Sequence, residues 1–173
     1  GRAIALGFAA AGGDVSICAR EPKSLEETRA EIARLGHKAH AASADLSKGD
    51  AVRGYVRAAV DALGGCDLLV NNASAFGSSD DNKGWTDNLA VDMLAIVHAT
   101  QEALPALKKS QGSVVNISSI SALHPAARQP PYGAIKAAVI HYTITQAAMY
   151  AKDRVRVNCI APGSIEFPGG TWE

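Results

Sequence analysis

Short apolar segments alternate with helical patterns along the 173 residues of this chain. Between two of these segments, Val52, Val56 and Val60 show the spacing expected of an amphipathic helix. A strand buried on both faces reads as a continuous apolar run, and strands that alternate with helices form a parallel sheet covered by helices. The sequence therefore predicts one α/β domain over 1–173, built as a three-layer doubly wound parallel sheet. The predicted strands lie at 15–19, 38–44, 67–70, 114–117 and 155–160.

Ser119, Tyr132 and Lys136 form a candidate proton-transfer site, spaced 13 and 4 positions apart. A tyrosine has an ordinary pKa of about 10, so its phenol needs a nearby cation to exchange a proton at neutral pH. Lys136 follows Tyr132 at the distance that places both side chains on one face of a helix. Ser119 comes after the apolar segment 114–117, where a hydroxyl can point at a carbonyl oxygen.

Three further segments accompany this site. They are Asn-Asn-Ala at 71–73, Asn-Ile-Ser-Ser at 116–119 and Asn-Cys-Ile-Ala-Pro-Gly at 158–163. Together with the 132–136 segment, they stand in the order and at the spacing of the short-chain dehydrogenase/reductase family, which the chain resembles over essentially its whole length. The resemblance implies a Rossmann-type sheet and NAD(P)-dependent transfer of hydride between the cofactor and a small-molecule ketone or secondary alcohol.

The resemblance also implies a role for each residue of the site. Tyr132 is the acid and base, Lys136 holds the phenolate charge and positions the cofactor ribose, and Ser119 donates a hydrogen bond to the substrate oxygen. Ser118 is an alternative hydroxyl, but the spacing to Tyr132 selects Ser119. The fourth catalytic position is occupied by Asp92, where the family has an asparagine.

Residues that bind the cofactor are expected beyond the carboxyl ends of the strands. Ala19 stands where an acid would favour NAD, and Arg20 follows it, so NADP is favoured, with NAD as the alternative. Arg20 could instead be a solvated surface charge, and Asp45 a turn residue. The candidates that the resemblance implies are Arg20, Asp45, Leu46, Asn71, Asn72, Ala73, Ser74, Tyr132, Lys136, Pro162, Gly163 and Ile165.

Three residues depart from the family pattern. Asp92 replaces an asparagine, and its charge would favour the lysine cation while opposing the phenolate. Ser74 replaces a glycine, and its Cβ can hinder a close backbone approach. Phe167 stands where many relatives carry a threonine. These departures leave a second function open, a catalytically impaired NADP-binding or regulatory protein on the same fold.

The two ends of the chain also differ from the family. Gly1 resembles the last glycine of the family's Gly-rich turn, without the strand that precedes it, and relatives continue past residue 173. The resemblance therefore implies an internal fragment that lacks the first strand and the C-terminal segment. It also implies a homo-oligomer, a tetramer or a dimer, with helices at 86–104 and 132–150 as the contact faces.

Composition excludes several other classes of function. The 17 basic and 17 acidic residues balance, so no global field draws the chain to nucleic acid or to an anionic membrane. No apolar run approaches the length of a membrane span, and a cytoplasmic protein is expected. The three scattered cysteines indicate neither a disulfide framework nor a metal site. No metal is predicted, because metal-ligand spacing is absent from the histidines at 37, 40, 98, 124 and 141.

Overall fold

A computed structural model describes residues 1–166 of the chain. Within that range, parallel strands occupy the predicted segments and fall into two sheets. In the first, β1 pairs with β2, and in the second, β3, β4 and β5 lie side by side. The predicted α/β class with parallel pairing is thereby confirmed. The strands are β1 (Val15–Ala19), β2 (Ala39–Ser43), β3 (Leu68–Asn71), β4 (Ser113–Ile117) and β5 (Arg156–Ile160).

Helices connect these strands, as parallel pairing requires. Among residues 1–166, none of them combines the length and the apolar character that crossing a membrane would need. A π-helical segment, Leu89–Leu94, joins two of the helices, and a 3₁₀ turn, Ile120–Ala122, follows β4. The α-helices are α1 (Arg2–Ala10), α2 (Pro22–Arg34), α3 (Gly49–Leu63), α4 (Asn82–Asn88), α5 (Ala95–Ser110) and α6 (Pro130–Tyr150).

The helices pack in two layers, one on each side of the strands. On one side, Ala5 and Ala9 of α1 meet Ile32 of α2 over the apolar residues of β1. On the other side, α3, α5 and the end of α6 share a larger core. This core is formed by Val52, Val56, Ala95, Ala99, Ala103, Leu107, Val114, Tyr150, Val155 and Val157. The sequence prediction of three layers therefore agrees with the packing.

The helix predicted at 86–104 has different limits in the structure. Asp81 caps α4 by accepting a hydrogen bond from Gly84 N at 2.7 Å, so the helical region begins earlier than predicted. It also continues as α5 through Pro105 to Ser110. Proline removes one backbone hydrogen bond, and Pro105 lies inside α5. Ala103 and Leu107 are fully buried on either side of it, and this packing offsets the loss.

A cavity of about 1170 Å³ lies between the two sheets. All of β1 and all of β3 line it, together with Gly1 and Asn72 at one end. In the described part of the chain, β1 pairs with β2 alone and β3 with β4 alone, so each strand turns one edge to the cavity. The cavity therefore separates two strand edges that are unpaired among the described residues, along their whole length.

Candidate active site

The predicted proton-transfer residues lie where β4 and α6 meet. Ser119 follows β4 and caps the 3₁₀ turn, its Oγ accepting a hydrogen bond from Ser121 N at 3.1 Å. Two prolines open α6, since proline suits the first helical positions, and Tyr132 and Lys136 occupy its first two turns. Ser119, Tyr132 and Lys136 are all buried. The structure therefore brings together the three residues that the sequence singled out.

Lys136 lies against the face of Tyr132. Its Nζ is 5.6 Å from the centroid of the phenol ring, within the range of a cation–π contact. The Lys136 side chain is only 2% exposed. Its Nζ also donates a hydrogen bond to the carbonyl oxygen of Ile117 at 2.9 Å, which ties α6 to the end of β4. The ammonium group is thus held in a fixed position beside the phenol.

Asp92 is the nearest counterion of Lys136. Its Oδ1 lies 3.0 Å from Lys136 Nζ, in the geometry of an ion pair and not of an aligned hydrogen bond. Its Oδ2 accepts a hydrogen bond from the backbone N–H of Ala75 at 3.0 Å. Asp92 is fully buried within the π-helical segment. The position that departs from the family pattern therefore contacts the predicted site directly.

Three influences act on the pKa of Tyr132. Burial of the phenol raises its pKa above the ordinary value, and this is the largest effect. The Ser119 hydroxyl lowers the pKa by stabilising the phenolate, whereas the negative charge of Asp92 raises it. The net result is a raised pKa, so the phenol keeps its proton to higher pH than a free tyrosine.

A buried amide network lies beneath the site and was not predicted as a unit. The Oδ1 of Asn116 accepts a hydrogen bond from Asn71 Nδ2 at 2.8 Å. The Nδ2 of Asn116 donates to Thr143 Oγ1 at 2.9 Å and to Gln146 Oε1 at 3.1 Å. This network joins β3, β4 and α6. The sequence signal was the polar pair Thr143 and Gln146, three positions apart on α6.

Phe76 lies beside Tyr132 without a signal in the sequence pattern. Its ring stacks on Tyr132, with the centroids 5.6 Å apart and the planes inclined by 20°. Its φ of 51° lies in the left-handed region, which a phenylalanine rarely adopts. Ser74 shapes the same turn, because its Oγ accepts a hydrogen bond from Phe76 N at 3.2 Å. An exposed aromatic ring therefore forms one wall beside the candidate acid.

The segment after β5 runs along the other side of Ser119. Ser118 N donates to Ile160 O at 2.7 Å, and Ile120 N donates to Pro162 O at 3.0 Å. A Cβ on Gly163 would lie 3.7 Å from the side chain of Ile120. Ile165 is exposed. Phe167 lies outside the described residues.

Two of the candidate cofactor-binding residues, Arg20 and Asp45, lie beyond β1 and β2. Arg20 follows β1, and its carbonyl oxygen accepts a hydrogen bond from Ser43 Oγ at 3.3 Å. Asp45 Oδ1 accepts from Ser47 N at 3.0 Å and from Ser47 Oγ at 2.8 Å. These bonds are the main reason why the pKa of Asp45 is lowered, and the charge of Arg20 adds to the effect. Arg20 and Asp45 are therefore neighbours on the exposed surface.

The remaining candidates occupy two places. Leu46 is partly buried and packs against the larger core. Asn71, Asn72 and Ala73 line the cavity between the sheets, as does Gly1 at the beginning of α1. Gly1 supplies no side-chain hydrogen bond to the first turn of α1. Backbone N–H groups in the first turn of a helix favour an anion.

Known proteins resemble this chain over most of its length. Residues 1–170 match the model of the family described as short chain dehydrogenase. An uncharacterised oxidoreductase of Mycobacterium tuberculosis (strain CDC 1551 / Oshkosh) is 38% identical over 171 residues, which are 95% of this chain and 65% of that protein. The chain also spans 64% and 58% of the next two curated relatives. It therefore covers less than two thirds of each of these three proteins.

Two solved structures extend the comparison. A metagenomic short-chain oxidoreductase in complex with NADP shares 31% identity, with a TM-score of 0.87, and the match covers 95% of this chain and 77% of that one. NAD⁺-bound xylitol dehydrogenase shares 27% identity, with a TM-score of 0.89, over 94% of this chain and 65% of that one. Both nicotinamide cofactors thus occur among the structural neighbours.

Proposed function

This chain belongs to the short-chain dehydrogenase/reductase family, and on that premise we propose that the protein interconverts a ketone and a secondary alcohol with NADPH as its preferred cofactor. One observation carries the proposal. The ammonium of Lys136 lies 5.6 Å from the ring of Tyr132, at the carboxyl end of β4 and beside Ser119. Such a cluster provides an acid, a cation and a hydroxyl donor for one carbonyl oxygen.

The described residues fit a nicotinamide dinucleotide. The first turn of α1, which begins after Gly1, offers backbone N–H groups to a phosphate. Asn71, Asn72 and Ala73 would line the cofactor, and Lys136 retains a third N–H for a ribose hydroxyl, since an ammonium has three. When bound, the cofactor supplies or accepts the hydride.

The residues of the chain handle the proton and the substrate oxygen. In reduction, the Ser119 hydroxyl donates a hydrogen bond to the carbonyl oxygen and orients it toward Tyr132. Tyr132 then donates its phenolic proton to the oxygen as negative charge develops there. Lys136 stabilises the phenolate that remains. In oxidation the same phenolate accepts the proton of the alcohol.

The alternative of a catalytically impaired NADP-binding protein is not favoured. It rested on Asp92, Ser74 and Phe167. Asp92 binds both Lys136 and the backbone of Ala75, so the residue engages the site and does not disrupt it. Ser74 accepts a hydrogen bond within its own turn. Binding of NADPH without turnover, across a panel of ketones and alcohols, would bring the alternative back.

We also expect the protein to form a homo-oligomer through α5 and α6. Ile144 and Met149 of α6 are more than half exposed, and an apolar side chain at such a position favours contact with a second copy. Size-exclusion chromatography with light scattering would measure the assembly. A stable monomer at working concentrations would contradict this expectation.

The test of the proposed function is Tyr132→Phe in the full-length protein. Loss of the phenolic hydroxyl removes the acid, so we expect kcat to fall by about 100- to 10,000-fold. Binding of NADPH and the free energy of unfolding should stay close to those of the wild type. Tyr142→Phe, on the same helix, is the matched control and should retain activity. Unchanged turnover of Tyr132→Phe, with NADPH bound, would overturn the proposal.

A further inference from the structure

Asp92 occupies an unusual stretch of helix. It is fully buried in the π-helical segment Leu89–Leu94, between α4 and α5. A π-helical turn inserts an extra residue into the helix, and such turns are frequent at functional sites. Here the widened turn points a carboxylate at the interior, where an isolated charge is costly. The cost is offset only because both oxygens of the carboxylate have partners.

The two partners of Asp92 lie on different segments of the chain. Oδ1 pairs with Lys136 Nζ on α6 at 3.0 Å, and Oδ2 accepts from Ala75 N, in the turn after β3, at 3.0 Å. Lys136 is tied in addition to Ile117 O at the end of β4. One carboxylate therefore fixes the lysine relative to both strands whose ends form the site. The turn that it fixes also carries Phe76, whose ring covers Tyr132.

The charge of Asp92 has a separate effect from its contacts. The positive charge of Lys136 stabilises negative charge on the phenol oxygen and so favours the phenolate. A carboxylate 3.0 Å from the same ammonium offsets much of that attraction, since the buried pair is neutral as a whole. The pKa of Tyr132 is raised, with burial as the main cause and the Asp92 charge as a further one. An asparagine could keep one of the contacts but would carry no charge.

We propose that Asp92 is a positioning residue that holds Lys136 and the Ala75 turn in place, and that its negative charge shifts proton transfer at Tyr132 to more alkaline pH. This inference rests on the proposed function. It predicts that Tyr132 of the wild type stays protonated, and hence able to support reduction, at pH values where Tyr132 of an Asp92→Asn variant would begin to lose its proton.

Other charged groups on the neighbouring elements are engaged elsewhere. On α4 and its cap, Asp81 binds Gly84 N, and Lys83 pairs with Asp87 on the surface. On α5, His98 contacts Arg53, Glu102 pairs with Arg57, and Lys108 pairs with Asp153. Lys109 of α5 and His141 of α6 are exposed. The remaining ionisable side chains of α6 are the phenols of Tyr142 and Tyr150.

The experiment compares Asp92→Asn with the wild type in the full-length protein. We expect the alkaline rise in kcat/KM for alcohol oxidation to shift to lower pH, because the phenolate is no longer opposed by a carboxylate. The ratio of kcat/KM at neutral pH to its alkaline plateau should rise roughly threefold. Asp87→Asn makes the same chemical change on the surface of α4, and its pH profile should match the wild type.

A second measurement does not need turnover or a folded variant at position 92. Ultraviolet titration of the wild type, minus that of Tyr132→Phe, reports the ionisation of Tyr132 alone. The inference requires this phenol to ionise above the ordinary tyrosine range of about pH 10. Ionisation below that range, or an unshifted profile in a folded Asp92→Asn, would overturn it. Full activity of Tyr132→Phe would instead defeat the proposed function and leave the titration result valid.

Discussion

The candidate proton-transfer site around Tyr132 and the candidate cofactor-binding residues Arg20 and Asp45 differ in how the chain holds their charges. Around Tyr132, the charged and amide groups Lys136, Asp92 and Asn116 are almost fully buried and bonded across several elements. Beyond β1 and β2, Arg20 and Asp45 are exposed, and the bonds of the Asp45 carboxylate are local. Proton transfer depends on a tyrosine pKa that nearby charges set. Buried, rigid surroundings keep those charges strong and fixed in place. Recognition of a phosphate needs only a cation within reach.

This difference predicts how substitutions behave in the two regions. Removing Lys136 or Asn116 leaves buried partners without bonds, so stability should fall. A change in the exposed region removes an interaction with a ligand and leaves the fold intact. Three substitutions test this contrast, in descending order of expected effect.

The largest effect is expected from Lys136→Met. Methionine fills a similar volume but leaves Asp92 as an unpaired charge with 0% exposure, which destabilises a fold by about 3–5 kcal/mol. Chemical denaturation of the full-length protein would measure the free energy of unfolding. Lys108→Met is the control, because its pair with Asp153 is partly exposed and should contribute no more than about 1 kcal/mol. Equal losses in the two variants would remove the contrast between buried and exposed pairs.

Asn116→Ala should have the next largest effect. It removes one hydrogen bond each from Asn71 Nδ2, Thr143 Oγ1 and Gln146 Oε1. Buried polar groups left unsatisfied cost about 1–3 kcal/mol, so we expect a loss near the upper end of that range. Asn158→Ala makes the same change at an exposed position of the neighbouring strand β5 and should alter stability by less than about 0.5 kcal/mol. A loss for Asn116→Ala no greater than that of the control would show that the network does not stabilise the fold.

Much of the fold could be read from the sequence, because buried parallel strands are continuous apolar runs. Strand β1 occupies the predicted segment 15–19, and β4 begins one residue before the predicted 114. The limits of α5 could not be read, since a local rule ends a helix near Pro105. Burial of Leu107 against the core stabilises α5 beyond Pro105, and a local sequence pattern does not reveal this burial.

The candidate site also combines features that the sequence predicts with features that it does not. The spacing of Tyr132 and Lys136 on one helix is a local property, and the structure brings the two side chains together. The hydrogen bond between Asn71 and Asn116 depends on the register of β3 against β4, which places these residues opposite each other. The stacking of Phe76 depends on a left-handed backbone residue in a turn. Neither feature has a signature in the spacing of the sequence.

The smallest of the three effects is expected from Arg20→Ala. If the guanidinium binds the extra phosphate of NADPH, its loss should lower the ratio of kcat/KM for NADPH to that for NADH about tenfold, or about 1.4 kcal/mol. The free energy of unfolding should stay unchanged, because the side chain is exposed. Arg34→Ala, at the end of α2, is the matched control and should leave the ratio unaltered. An unchanged ratio in Arg20→Ala would identify Arg20 as a solvated surface charge, and the preference for NADPH would lose its structural basis. In that case the exposed region would tolerate substitution and would also have no demonstrated contact with a ligand.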